Sequence, residues 1–193
     1  MNERKTLLIL GAGGYGCTLA EAVHLKGLYE PIGFLDDLYP ERDRAFGLPV
    51  FGTTKLLDSY LQNIDAAVVA IGDNHVRQNL FLKLQSVGHQ PPPILHPEAK
   101  VSPSAVVGSG TTVMAGAVIG TQACLGQGVI INAGCTVDHH AEIYDFAHLG
   151  VGSCVAGGSI VDEGAWLRAG CSVGYQAKAQ AWEIYPPGTI LGE

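Results

Sequence analysis

The stretch TVDHHAEIYDFAHLG, residues 136–150, holds three of the chain's seven histidines: His139, His140 and His148. An imidazole changes charge near neutral pH, at about 6.5 when unperturbed, so it suits proton abstraction, metal ligation or a hydrogen-bonding role. As a general base, a well-placed histidine contributes ~10²–10⁴-fold to a proton-coupled step. Catalytic zinc, in contrast, takes its ligands around an open coordination position. In zinc solenoids of the γ-carbonic-anhydrase type one ligand precedes a close pair by about two coils. Here two histidines are adjacent and none lies between 97 and 138. That spacing disfavours zinc, and no metal is expected. A third alternative is that these rings only decorate an edge of the fold. His24, His75, His89 and His96 fall in expected helices or loops and read as surface or capping residues.

The elements that carry these histidines follow from a repeat. From Val101 an aliphatic residue recurs every six positions, through Val107, Val113, Ile119, Leu125, Ile131, Val137, Ile143, Leu149, Val155, Val161 and Leu167 to Val173. Four places after each stands Ala, Thr, Val, Cys or Ser, and glycine is frequent just after the aliphatic. Neither the helical period of 3.6 nor the strand period of two produces this. A six-residue period is the signature of a parallel β-helix, in which each hexad supplies one short strand and one corner. The aliphatic side chain fills the interior, the small residue fits where the coil turns, and glycine tolerates the corner backbone. The repeat spans residue 101 to about 178, roughly four coils, and its register fails at Ala179.

The first half has a different rhythm. KTLLILGAGGYGCTLAEAVHLKG reads as an apolar strand, a glycine turn and a helix, with Gly11, Gly13 and Gly16 in G-x-G-x-x-G spacing. A helix start of that kind presents backbone N–H groups to a phosphate. A second strand, EPIGFLDD, ends in Asp36 and Asp37; a third, DAAVVAIGDN, ends in Gly72, Asp73 and Asn74 before another helix. Ligands of open parallel sheets bind at such carboxyl ends. The glycines alone would suggest NAD. Only about 90 residues precede the repeat, however, enough for one mononucleotide-binding half and little more, which favours a nucleotide or nucleotide sugar. The prolines of GHQPPPILHPEAK mark the boundary. The expected order is a half-Rossmann α/β domain with a parallel sheet, residues 1–93, followed by a parallel β-helix, residues 94–193.

Composition narrows the function classes. A formal charge of −7 with no basic run gives no purchase for nucleic acid. No apolar run approaches the ~20 residues of a membrane span, and the apolar stretch after Lys5 is too short for a secretory signal, so a cytoplasmic location is expected. The five cysteines (17, 124, 135, 154 and 171) form no Cys-x-x-Cys pair and read as reduced, small apolar residues.

Taken in order, GAGGYG, FLDD, AIGDNHVRQ, ILHPEAKVSPSAVVG and INAGCTVDHHAEIYDFAHLGVG resemble the bacterial UDP-4-amino-sugar N-acetyltransferases and the related sialic acid O-acetyltransferases, the PglD and NeuD type. The resemblance implies a left-handed β-helix that forms a homotrimer, with acetyl-CoA held between adjacent subunits and a nucleotide sugar held by the first domain. It places the base at His139, an orienting residue at His140 and a second active-site histidine at His148. Gly11, Gly13, Gly14, Tyr15, Asp36, Asp37, Gly72 and Asn74 correspond to sugar-nucleotide contacts. Gly150, Gly157, Ala169 and Gly170, with His148, fall where the family holds the pantetheine and acetyl carbonyl, and Gly157 takes an oxyanion role. Arg168 and Lys178 are candidates for the coenzyme phosphates.

Three positions depart from the family's pattern. Tyr15 stands where histidine is frequent. His140 stands where a carboxylate usually orients the base, so Asp138, Glu142 or Asp145 is expected to replace it. The C-terminal stretch EIYPPGTILGE lacks the usual Gly-Asn-Pro-Ala-Lys continuation. Two other functions fit the same residues: sugar O-acetyl transfer, and nucleotide-sugar binding without catalysis.

Overall fold

The apolar run TLLIL forms the centre of β1 (Lys5–Leu10), with Leu7 to Leu10 fully buried, in a computed structural model that describes residues 4–192. A strand covered on both faces reads as continuous rather than alternating apolar sequence, as parallel strands do. The chain then forms α1 (Gly14–Lys26), β2 (Tyr29–Leu35), a hairpin of β3 (Arg44–Ala45) and β4 (Leu48–Pro49), α2 (Leu57–Tyr60), β5 (Ala66–Val69) and α3 (Asn74–Ser86). The sheet order is β2-β1-β5, and both pairings are parallel. Helix α1 ends at Gly27, whose left-handed backbone donates its N–H to the Val23 carbonyl. The chain divides into two compact units between Ile94 and Leu95.

In the second unit, two-residue strands recur every six residues and stack as three parallel sheets of five or six strands. Residues eighteen apart are partners, as in Cys124 with Glu142 and Thr136 with Cys154, so three hexads make one coil. The second residue of each strand points inward, and from Val113 to Val173 these aliphatics are at most 2 % exposed. The repeat begins a rung earlier than its aliphatic pattern suggests, at Leu95, which packs on the core. It also does not fail at Ala179. Strands Lys178–Ala179, Ile184–Tyr185 and Ile190–Leu191 continue the stack, giving more than the four coils expected. The inward slots there hold Ala179, Tyr185 and Leu191. The ladder needs only backbone N–H and C=O groups, so a change of side-chain type hides it without ending it.

Two further regularities shape the corners. Every sixth residue from Gly110 to Gly188 has a left-handed backbone, with φ between +55° and +74°. Glycine adopts that conformation without a Cβ penalty. Where the buried small position carries a hydroxyl or thiol, the group donates to a carbonyl fifteen residues on: Thr111 to Gly126, Cys135 to Gly150, Ser153 to Arg168, Ser159 to Gly174 and Cys171 to Pro186. That contact explains why Ser, Thr and Cys alternate with Ala inside an otherwise apolar prism. Among the described residues no helix is long and apolar enough to cross a membrane.

Candidate active site

In the first unit, the carboxyl ends of the parallel strands enclose a cavity of about 390 Å³. Gly11, Gly13, Gly14, Tyr15, Asp36, Asp37 and Gly72 line it, joined by Leu38, Arg42, Thr54, Ala70 and Ile71. Gly13 caps α1, neither it nor Gly14 has any neighbour where a Cβ would lie, and the first helical turn carries no acidic side chain. The helix start therefore presents bare N–H groups to the cavity, which favours a phosphate. Gly16 serves packing: a Cβ there would run into the carbonyl of Gly11.

The two aspartates also brace the walls. Asp36 Oδ2 accepts the Ala12 N–H at 2.7 Å and pairs with Arg42 at 3.2 Å, while its Oδ1 accepts the Leu38 N–H at 2.9 Å. Asp37 Oδ1 accepts both the N–H and the hydroxyl of Thr54, each at 2.8 Å. Asn74 does not line the cavity. It is buried at the start of α3, where its Oδ1 accepts from Arg77 at 2.7 Å. Arg77 was not expected from the sequence. It is 1 % exposed and also donates to the carbonyls of Ile71 (3.0 Å) and Gly72 (3.1 Å), fixing the loop that closes the cavity. Burial pulls its guanidinium down to about 10, still charged at neutral pH. Residues 74, 77, 81 and 84 form the buried stripe of α3. A cation in helical register with Phe81 and Leu84 was the signal that could have found it.

In the second unit, His139 and His140 occupy the corner between strands Thr136–Val137 and Glu142–Ile143. Both are exposed. The two Nδ1 atoms lie 3.0 Å apart, with the rings edge to face. Gly157, one coil on, leaves the space for this arrangement: a Cβ there would lie 2.5 Å from Cε1 and 2.6 Å from Nε2 of His139. Of the three carboxylates expected to replace the missing one, only Asp138 reaches the ring. Its Oδ2 is 3.9 Å from His139 Nε2, and its Oδ1 accepts the His139 N–H at 2.7 Å. Glu142 accepts from the Tyr144 hydroxyl, and Asp145 accepts from the N–H and side-chain amide of Gln127. Glu142 stands on the next strand and Asp145 in the corner after it, because one hexad in sequence is a third of a turn in space.

His148 sits on a different sheet, buried, with Nε2 3.1 Å from Asn132 Nδ2 and its ring stacked on Trp166 at 4.8 Å. Arg168 lies over the other end of that group, 5.3 Å from the Trp166 ring. Gly150 is packed against the backbone of Arg168 and Ala169, where a Cβ would lie 2.7 Å from the Ala169 nitrogen. Gly150 and residues 168–170 thus share one corner column, while His139, His140 and Gly157 share another. Lys178 Nζ is held by Asp162 at 2.7 Å on a third part of the surface. Cys135 and Cys171 are buried thiols, Cys124 and Cys154 exposed ones.

A parallel-sheet nucleotide-type cavity followed by a six-residue solenoid with exposed corner imidazoles is the build of the hexapeptide-repeat acetyltransferases. The family model described as the PglD N-terminal domain matches residues 6–84. The acetyltransferase domain of PglB from Neisseria gonorrhoeae, solved with acetyl coenzyme A, is 34 % identical over 97 % of this chain and 96 % of that one, with a TM-score of 0.78. A histidine-to-alanine mutant of GDP-perosamine N-acetyl transferase from Caulobacter crescentus, solved with CoA and GDP-perosamine, is 31 % identical over 96 % of this chain and 90 % of that one, with a TM-score of 0.75. UDP-N-acetylbacillosamine N-acetyltransferase of Bacillus subtilis is 32 % identical over 117 residues, 58 % of this chain; the match spans 52 %, about half, of that enzyme's length. The chain belongs to the PglD-type acetyltransferase family.

Proposed function

We propose that this protein transfers the acetyl group of acetyl-CoA to the amine of a UDP-linked 4-amino sugar destined for a bacterial surface glycan, with His139 as general base. The observation that carries the reading is the exposed imidazole of His139, laid over a glycine at a corner of a rigid solenoid. The base removes a proton from the amine as its nitrogen attacks the thioester carbonyl. The N–C bond forms, the C–S bond breaks, and coenzyme A leaves as thiolate. Gly157, beside the ring, is our candidate for the N–H that meets the developing oxyanion.

The choice of acceptor rests on the cavity in the first unit and on the relatives. Both named activities among them are N-acetyl transfers to nucleotide-linked sugars, and the UDP preference follows the Bacillus subtilis enzyme. The donor rests on the relatives solved with acetyl-CoA or CoA. A cytoplasmic site suits both substrates.

The reading also takes the assembly to be a trimer. Gly150, Arg168, Ala169 and Gly170 lie on one edge of the prism and His139 on another. A site that uses both sets needs a neighbouring copy. Acetyl-CoA consumption against a panel of UDP-, GDP- and dTDP-linked amino sugars tests the activity. His139→Ala is expected to lower turnover at least ~100-fold while leaving nucleotide-sugar binding, read by calorimetry, unchanged. Full turnover in that variant would remove His139 from the mechanism.

A further inference from the structure

We infer that the buried cation Arg77 makes the loop at residues 71–73 a second phosphate grip beside the start of α1, so that the cavity of the first unit selects a nucleoside diphosphate. Arg77 is a positioning residue in this scheme, because it acts through the loop. The inference rests on the reading of the cavity as the nucleotide-sugar site and names what that site holds on to.

A buried cation costs desolvation that packing does not call for, since a leucine at 77 would continue the stripe of Phe81 and Leu84. Nη1 of Arg77 donates to the carbonyls of Ile71 and Gly72 at 3.0 and 3.1 Å, and Nη2 donates to Asn74 Oδ1 at 2.7 Å. These three acceptors are neutral, so the bonds hold the guanidinium without cancelling its charge. Asp73 and Tyr15 both feel that charge. Asp73 is exposed and spends Oδ1 on the Val76 N–H at 2.9 Å, as the cap of α3. Tyr15 lines the cavity, so the field of Arg77 reaches the cavity wall.

The carbonyl contacts also fix which way the loop's donors face. In a trans peptide unit the N–H points opposite to the C=O. With the carbonyls of Ile71 and Gly72 turned onto Arg77, the N–H groups of Gly72 and Asp73 turn to the other side of the chain, where Ile71 and Gly72 line the cavity. Successive N–H groups on one side of a chain form a concavity for an anion. A cation on the carbonyl end polarises the same peptide units and strengthens those donors. The glycine loop abuts this one: a Cβ on Gly11 would lie 2.7 Å from the Ala70 carbonyl oxygen and 2.9 Å from Ile71 Cγ1. Gly13 and Gly14 at the start of α1 thus share one cavity with the 71–73 loop, and two adjoining grips suit two linked phosphates. The carboxylates in the lining, Asp36 and Asp37, oppose an anion; Arg42 answers Asp36 at 3.2 Å, and Arg77 supplies positive charge on the loop's side.

Calorimetry on the full-length protein with a nucleoside, its monophosphate and its diphosphate tests this, in whichever of the uridine, guanosine and thymidine series binds the wild type. Wild-type affinity should rise with each phosphate. In Arg77→Gln the diphosphate is expected to lose about tenfold or more in affinity, while the bare nucleoside changes by less than about threefold. Arg77→Lys, which keeps the charge, should recover most of that loss. A residue that only tied the loop in place would weaken all three ligands alike. The wild type supplies a readout that needs no variant: the amide ¹H and ¹⁵N shifts of Gly72 and Asp73 should move with the diphosphate and stay put with the nucleoside. Equal losses along the series, no rescue by lysine, or amides indifferent to the diphosphate overturn the inference. Failure of every nucleotide to bind the wild type removes the nucleotide-sugar reading and the grip together. A charge-dependent series in a protein that transfers no acetyl group leaves the grip standing and removes the enzyme.

Discussion

At the scale of single residues, the corner works through what glycine leaves empty. The ring of His139 occupies the volume a Cβ at position 157 would need, and Gly157 itself has no left-handed backbone that would strain a larger residue. Gly157→Ala is therefore expected to displace the ring and leave the coil intact. A misplacement of about 1 Å costs roughly 10²-fold in turnover, so the variant should lose activity on that scale with an unchanged thermal midpoint by circular dichroism. His140→Gly makes the converse case. Relief of left-handed strain, of order 1–3 kcal/mol, outweighs the ~0.5–1 kcal/mol of added chain freedom. Chemical denaturation should show a gain of about 1 kcal/mol, together with a loss of turnover. The histidines were legible from residue type and spacing, but their partners were not. Sequence distance made Asp138, Glu142 and Asp145 equivalent, whereas the three-sided coil turns the last two toward Tyr144 and Gln127.

At the scale of elements, the parallel sheet and the solenoid were readable because both are backbone patterns written in side-chain volume. What escaped were places where volume and backbone disagree. Ala179 and Tyr185 fill inward slots that an aliphatic search skips, yet their strands pair like the rest. Arg77 is the same case in a helix, a cation in register with the buried Phe81 and Leu84. Arg77→Leu would leave the Ile71 and Gly72 carbonyls and the Asn74 side chain without this donor. An unsatisfied buried acceptor costs ~1–3 kcal/mol. The variant should unfold at lower denaturant, by about 3 kcal/mol, and lose nucleotide-sugar affinity measured by calorimetry. The buried thiols allow a simpler check of the prism interior. Burial pushes Cys135 up to about 11, despite hydrogen bonds that favour its thiolate. At pH 8 almost none of it is thiolate, so Cys135 should resist an aromatic disulfide reagent until the protein is unfolded, and Cys171 should resist it through burial alone.

At the scale of the whole molecule, the corners of the prism decide how many copies a site needs. His139, His140 and Gly157 follow the strand Thr136–Val137 sheet, whereas Gly150 and residues 168–170 precede it. A coenzyme gripped by the second group reaches the base of the same chain only by crossing a full face, but it reaches a neighbour's base if faces pack around a threefold axis. Light scattering should give three times the chain mass. Mixed trimers give the sharper result. His139→Ala abolishes the base on one edge. Ala169→Trp blocks the other edge at an exposed position, where the fold tolerates bulk. Neither variant alone should turn over. Unfolding and refolding the two together places an intact base beside an intact coenzyme edge in about one quarter of the sites, if chains mix at random in a closed ring. Recovery near that fraction requires a site built from two chains, and no recovery despite demonstrated mixing requires a site built from one.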